Sequence, residues 1–302
     1  MKLLFWIPAY FMVTILLLSG CANESSHNSE GSVTGKLIIF HAGSLSVPMR
    51  VLADSFNVIY PDVIIQPESA GSLTSIRKIT DLKRECDILA SADASMIDKL
   101  MIPEYADWNL RFAVNEMALV YHPGSKMSDE INSSNWLDII GRKDIFIGRA
   151  DPSTDPCGYR TVLTMRLAEK MLRQDGLANR ILAKDQKYIR PKEVDLLALL
   201  ETNTVDYIFL YKSVAMQHNL PFIQLNDSIN LKNPDLNEWY STVSVEVPGN
   251  NPDERIVQKG EAMVYGITIP KNSPNKSAAE AFIKFLKEEG APIIKACHQT
   301  PI

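Results

Sequence analysis

The sequence predicts an α/β protein of two lobes around a cleft, with two mainly parallel sheets that carry helices on both faces and are joined by a two-strand hinge. Three observations carry that expectation. Apolar runs of strand length alternate with small-residue turns and with segments whose apolar residues recur at helical spacing, the pattern of βαβ units. The alternation occurs twice, on either side of a longer apolar run, FAVNEMALVY at residues 112–121. Residues 36–302 also approach the length at which one core usually divides into two.

The first twenty residues do not read as part of that fold. Lys2 precedes an apolar stretch over residues 3–18, and Ser19-Gly20-Cys21 follows, the order of a secretory leader. The stretch contains Pro8 and is short for a spanning helix, which needs about 20 apolar residues. Leu18-Ser19-Gly20-Cys21 resembles the lipobox of bacterial lipoproteins, in which cleavage leaves a lipid-bearing Cys21 at the new N-terminus. An uncleaved anchor helix is the alternative, and both place the chain outside the cytoplasm and tied to a membrane. Residues 21–35 are polar and rich in Ser and Gly, as expected of a flexible tether. The formal charge of −5 argues against a nucleic-acid surface. Beyond Cys21 there remain Cys86, Cys157 and Cys297. Three thiols cannot all pair and their spacing fits no zinc pattern, so no disulfide framework is expected.

Within the fold, residues 37–40 form an apolar strand, followed by a Gly-Ser turn and a helix with Met49, Leu52 and Phe56 on one face. Residues 62–71 repeat the plan, with Ile76 and Ile79 on the next helix. A short strand at 86–93, whose Cys86 reads as core, leads to a helix beginning near Ala94. After the run at 112–121 come a strand at 144–151 and a helix at 158–172 with Leu163, Leu167 and Met171 facing inward. A helix at 191–200 and a strand at 207–211 follow. The last strand, 263–269, leads to an amphipathic helix at 278–288 that turns Ala281, Phe282 and Phe285 inward. With 114–121 and 263–269 as crossovers, residues 36–116 and 266–302 make the first lobe and 117–265 the second.

Three turns share one build: Ala42-Gly43-Ser44, Ala70-Gly71-Ser72 and Asp155-Pro156-Cys157-Gly158. Each follows a strand, contains small residues and opens a helix. Helix N-termini leave N–H donors unpaired and carry partial positive charge, so three of them aimed into one cleft suit a small, dense anion. Taken singly, each is an ordinary cap. Ser44 and Ser72 add hydroxyl donors without adding charge.

The segments FHAGSLS, ESAGSLTSIRKI, DILASAD, DPCGYR, DYIFLYKSVA and VYGITIPK resemble, in that order, the tungstate/molybdate-binding proteins of ABC importers (the WtpA/ModA kind). The resemblance covers most of residues 36–302. It implies a two-lobed periplasmic-binding-protein fold of type II and a tetrahedral oxyanion as ligand, tungstate or molybdate, with no other cofactor. It also implies a permease and its ATPase as partners, and a monomer that is not an enzyme. Position by position, the implied ligand-binding set is Gly43, Ser44, Ser72, Asp155, Pro156, Cys157, Glu193 and Tyr211. The segment between Gly158 and Glu193 is shorter than in the archaeal members, which carry an insertion there.

Asp155 and Glu193 need their own account, because carboxylates repel a dianion. At 4 Å, like unit charges cost about 4 kcal/mol at an effective dielectric of 20. Either the acids are protonated or they bond to something positive. Molybdenum(VI) and tungsten(VI) are hard centres that accept further oxygen ligands. The resemblance implies the carboxylate-ligating branch, in which two acids at these positions complete an octahedral metal centre. Asp195 is the nearest rival to Glu193. Other readings remain: a site for a different oxyanion or a metal cation, and an exported hydrolase using Asp155 and Glu193 as its acid and base. His41, three residues before Ser44, is the only nearby base for a serine nucleophile.

Overall fold

Leu37, Ile39 and Phe40 are fully buried in the opening strand, β1 (Gly35–His41), as an apolar run does when helices cover both faces of its sheet. The computed structural model describes residues 33–249, 251 and 253–302; the leader over residues 1–20, Cys21 and the tether as far as residue 32 lie outside the described residues. After β1 come α1 (Ser46–Ile59), β2 (Val63–Ser69), α2 (Ser72–Thr80), β3 (Ile88–Ser91), α3 (Ala94–Leu100) and β4 (Leu110–Val114). The chain then passes through Asn115 and Glu116 into β5 (Met117–Tyr121). There follow α4 (Trp136–Gly141), β6 (Ile147–Ala150), α5 (Pro156–Leu172), α6 (Leu177–Leu182), β7 (Ile189–Arg190), α7 (Asp195–Glu201), β8 (Tyr207–Tyr211), α8 (Lys212–Gln217) and β9 (Phe222–Gln224). Two short helices, α9 (Asp227–Asn230) and α10 (Asn237–Tyr240), lead to a hairpin of β10 (Ser244–Pro248) and β11 (Arg255–Lys259). The chain ends with β12 (Val264–Thr268), α11 (Lys276–Ala296) and β13 (Thr300–Pro301).

Two sheets organise these elements into two lobes. The first has six strands in the order β13-β4-β12-β3-β1-β2, the second five in the order β7-β6-β8-β5-β9. Strands linked by βαβ units run parallel: β1 with β2 and β3, β6 with β7 and β8. Strands next to a crossover do not. β12 runs antiparallel to β3 and β4, and β5 antiparallel to β8 and β9. The sheets are therefore mixed, not mainly parallel, because a strand arriving from the other lobe enters from the opposite end.

Five further expectations are corrected. The run at 112–121 is two strands in two sheets, interrupted where the Asn115 side chain accepts the backbone N–H of Glu116 at 2.9 Å. The helix placed at 191–200 begins only at Asp195, and Glu193 lies in the turn before it. Met171 is 37% exposed although Leu163 and Leu167 are buried. The last helix runs from Lys276 to Ala296, with Asn275 accepting the Ala278 N–H at its start. Its Phe282 and Phe285 pack on Phe56 of α1, with ring centroids 5.2 and 5.7 Å apart. Val264 and Tyr265 already pair with Val114 and Ala113, so the return to the first sheet precedes residue 266. Cys86, Cys157 and Cys297 are free and buried. Among the described residues no helix is long and apolar enough to cross a membrane.

Candidate functional site

Each of the three small-residue turns leaves a strand and opens a helical segment. After β1, Ala42 leads into a 3-10 turn, Gly43–Leu45, that runs straight into α1. After β2, Gly71 caps α2 and Ser72 is its first residue. After β6, Asp155 caps α5: its Oδ1 accepts the Cys157 N–H at 2.7 Å. Pro156 takes the first helical position, where its lack of an N–H costs nothing.

Folding brings the first two turns, from one lobe, against the third, from the other. Glu193 makes the join. Its backbone N–H donates to Asp155 Oδ2 at 3.3 Å, and its Oε1 accepts the backbone N–H of Ser44 from the opposite lobe. That contact explains why Glu193 is not helical: its N–H and its carboxylate are both engaged in the cleft. The approach also requires glycine. A Cβ on Gly43 would lie 2.8 Å from Glu193 Oε2, and one on Gly71 only 2.3 Å from the Thr154 carbonyl oxygen. At both positions the lobes touch where any side chain would stand.

The assembled site is buried and acidic. Gly43, Ser44, Ser72, Asp155, Pro156, Cys157, Glu193 and Tyr211 are all buried, with Asp155 1% and Glu193 0% exposed. Among the described residues neither acid forms a salt bridge, and Glu193 Oε2 has no hydrogen-bond partner. Burial, and then the charge of Glu193 within hydrogen-bonding reach, pushes the Asp155 carboxyl well above its usual range. Burying a carboxylate this way is costly unless something positive or proton-bearing faces it. Around the acids stand neutral donors. Ser72 Oγ accepts the Ala92 N–H at 2.9 Å and Ser44 Oγ accepts from Tyr265 at 3.1 Å, so each serine keeps its own hydrogen to donate. Burial raises the Tyr211 phenol, which stays an O–H donor.

A family model of bacterial extracellular solute-binding proteins matches residues 37–297. The chain belongs to that family. Among curated relatives, a solute-binding protein of Petrotoga mobilis is 46% identical over 272 residues, covering 87% of this chain and 85% of its own. The molybdate/tungstate-binding protein WtpA of Pyrococcus abyssi is 38% identical, covering 95% of this chain and 90% of its own. Among solved structures, the periplasmic molybdate-binding protein of Azotobacter vinelandii superposes with a TM-score of 0.64 at 17% identity, covering 87% of this chain and 98% of that one. That likeness establishes the two-lobed periplasmic-binding-protein fold.

In this solute-binding protein the rival residues fall away on geometry. Asp195 is half-buried and pairs with Lys192 at 3.5 Å. His41 Nδ1 pairs with the Ala42 carbonyl at 2.8 Å, and burial lowers its pKa, so it is held by its own turn. Asp155 and Glu193 adjoin, whereas glycosidase carboxyls stand roughly 5–9.5 Å apart. Among the described residues no group of three or more His, Cys, Asp or Glu side chains is arranged to hold a metal cation.

Sequence reasoning missed Arg160, Asp93, Tyr159 and Tyr265. Arg160 Nη2 lies 3.3 Å from Asp93 Oδ2 across the lobe boundary, with side chains 2% and 4% exposed, and Tyr159 donates to the same oxygen. A signal existed. Arg160 precedes Leu163 by three residues and Leu167 by seven, which puts a charge on the buried stripe of α5. Its partner, 67 positions earlier in the chain, carries no such mark.

Proposed function

We propose that this protein captures tungstate or molybdate in the cleft between its lobes and hands it to the permease of an ABC importer, whose cytoplasmic ATPase drives release. Gly43, Ser44 and Ser72 receive the oxyanion from one lobe, and Asp155, Pro156, Cys157, Glu193 and Tyr211 from the other. Asp155 and Glu193 bind the metal atom itself. The observation that carries this reading is the buried pair of acids, neither of them in a salt bridge among the described residues, set where three helical segments begin. Helix N-termini and hydroxyls suit a small dianion, but two carboxylates repel it unless they reach its positive centre. A hexavalent group-six metal accepts their oxygens in addition to its own; sulfur does not. The name of the Pyrococcus abyssi relative points the same way.

Capture works by closure. A ligand shifts a two-state protein only by as much as it prefers one state, and contacts drawn from both lobes supply that preference. No bond in the cargo needs to be made or broken beyond exchange of ligands at the metal, so the protein is a carrier and not an enzyme. A lipid on Cys21 keeps the monomeric carrier at the outer face of the membrane, beside its permease.

Titrating the purified protein with tungstate, molybdate, sulfate and ferric ion tests this, with tryptophan fluorescence and melting temperature as readouts. Saturable responses to tungstate and molybdate are expected, with none to sulfate or iron. An equal response to sulfate removes the carboxylate ligation, and silence toward both group-six oxyanions removes the reading altogether.

A further inference from the structure

Arg160 lies one turn into α5 from the Asp155 cap, and its guanidinium reaches in three directions. Nη1 donates to the Ala92 carbonyl at 2.7 Å and to Tyr211 Oη at 3.1 Å, and Nη2 faces Asp93 Oδ2 at 3.3 Å. Ala92 and Asp93 belong to the first lobe, Tyr211 to the second. The segment that Arg160 grips is also the one that fixes the first lobe's serine, since the Ala92 N–H holds Ser72 Oγ. Asp93 is in turn fixed from its own side, where its Oδ1 accepts the Ser95 N–H at 2.9 Å.

The consequence for Tyr211 is directional. A phenol oxygen that accepts a guanidinium N–H has one hydrogen left, and that hydrogen points elsewhere. We propose that Arg160 is a positioning residue that couples lobe closure to cargo recognition: seated on Ala92 and Asp93 of the opposite lobe, it pins the Tyr211 hydroxyl as an obligate donor to the oxyanion. This rests on reading the cleft as the oxyanion site. When the lobes part, Ala92 and Asp93 leave the guanidinium, and Tyr211 loses its fixed orientation. Shutting the lobes without Arg160 buries Asp93 without its cation, an arrangement that strongly disfavours the closed form. The charge of Arg160 is spent on Asp93, so the residue orients a donor and does not serve as a countercharge for Asp155 and Glu193.

The test uses five variants: Arg160→Lys, Arg160→Met, Tyr211→Phe, the double Asp93→Asn/Arg160→Met, and Arg160→Lys placed in the Tyr211→Phe background. Tungstate affinity and dissociation rate are measured by stopped-flow fluorescence, and inter-lobe distance by a spin label on each lobe. Arg160→Met is expected to weaken binding more than about a hundredfold, through faster dissociation, because it leaves a buried charge unpaired. Neutralising Asp93 as well recovers at least about tenfold of that loss. Arg160→Lys costs about tenfold in the parent, since one ammonium cannot span Asp93 and Tyr211, but less than about threefold once Tyr211 is Phe. An equal cost of Arg160→Lys in both backgrounds overturns the positioning role, and so does an Arg160→Met protein that binds within about threefold of the parent. Should Arg160→Met not fold, the lysine pair decides. Should the parent bind neither tungstate nor molybdate, the proposed function fails separately, and the distances carry the test: an identical distribution for parent and Arg160→Lys overturns the coupling.

Discussion

Asp93 and Asp155 stand in the same buried boundary between the lobes, each at the start of a helix, and each accepts the backbone N–H two residues on. Their second oxygens meet opposite surroundings. Asp93 Oδ2 takes the Arg160 guanidinium and the Tyr159 hydroxyl. Among the described residues, Asp155 Oδ2 takes only the weak 3.3 Å contact from the Glu193 N–H, and it faces another carboxyl. Capping explains half of each residue and distinguishes neither. What separates them is compensation: the Asp93 cluster is electrostatically complete within the chain, whereas the Asp155 cluster is completed by what it binds.

Removing the incomplete cluster is the sharpest way to break that contrast. Asp155→Asn with Glu193→Gln is expected to lower tungstate affinity more than about a hundredfold, beyond the 10–100-fold typical of losing a group behind a metal ligand. It should also raise the melting temperature of the cargo-free protein, because two buried acids no longer repel. Calorimetric titration and a thermal melt read the two effects together. Lower affinity with lower stability instead would mean that the acids are structural, like Asp93.

Gly71→Ala comes next. Its Cβ would stand 2.3 Å from the Thr154 carbonyl oxygen and 3.1 Å from that of Pro191, both across the closed boundary. Overpacking of this kind costs about 1–3 kcal/mol, so cargo affinity should fall roughly tenfold to a hundredfold. Both acidic clusters stay chemically intact, and the effect should be the same for tungstate and molybdate. A loss confined to one oxyanion would place Gly71 in recognition and not in closure.

Acidity separates the clusters with a smaller signal. The folded, cargo-free protein holds the Asp155 proton more tightly than the unfolded chain does, because burial and Glu193 raise its pKa. That contribution to stability is fully present below the unfolded value, 3.8, and is lost as pH rises through the higher folded value. The parent should therefore lose melting temperature relative to Asp155→Asn as pH is raised from 5 to 8, by about 2–4 °C for each 1 kcal/mol of lost preference. A flat difference between the two melts across that range would remove the proton from the account.

How much of this could be read in the chain depends on how local the cause is. Gly43-Ser44, Gly71-Ser72 and Asp155-Pro156-Cys157 are legible because a strand, a small residue and a helix start are adjacent in sequence. Glu193 is not. Pro191 suggests a helix four residues before the helix begins, and only contacts with Ser44 and Asp155, 149 and 38 positions away, hold the turn open. Strand direction fails for the same reason, since β5 and β12 take their sense from the crossovers and not from their own residues. Arg160 lay between. Its place on an apolar stripe marks it as unusual, while Asp93, which explains it, is visible only in three dimensions.

The smallest expected effect tests whether counting cations is enough. Glu68 on β2 has two, Lys78 and Arg84, both at 2.7 Å, against the single arginine of Asp93. The Arg84 hydrogen bond leads in lowering its carboxyl to about 2, with Lys78 adding to it. Yet Glu68 is 34% exposed, and water screens what burial would have amplified, so its pairs should be worth less than about 1 kcal/mol. Because the folded pKa is depressed, that contribution is present above the unfolded value, 4.5, and disappears as pH falls toward about 2. Glu68→Gln should thus leave tungstate affinity unchanged and shift the melting temperature slightly at pH 7, with the shift gone at the acid end. A loss of cargo binding on the scale of Arg160→Met would mean that ion pairs far from the boundary also govern closure, and the distinction between compensated and uncompensated acids would no longer be what locates the site.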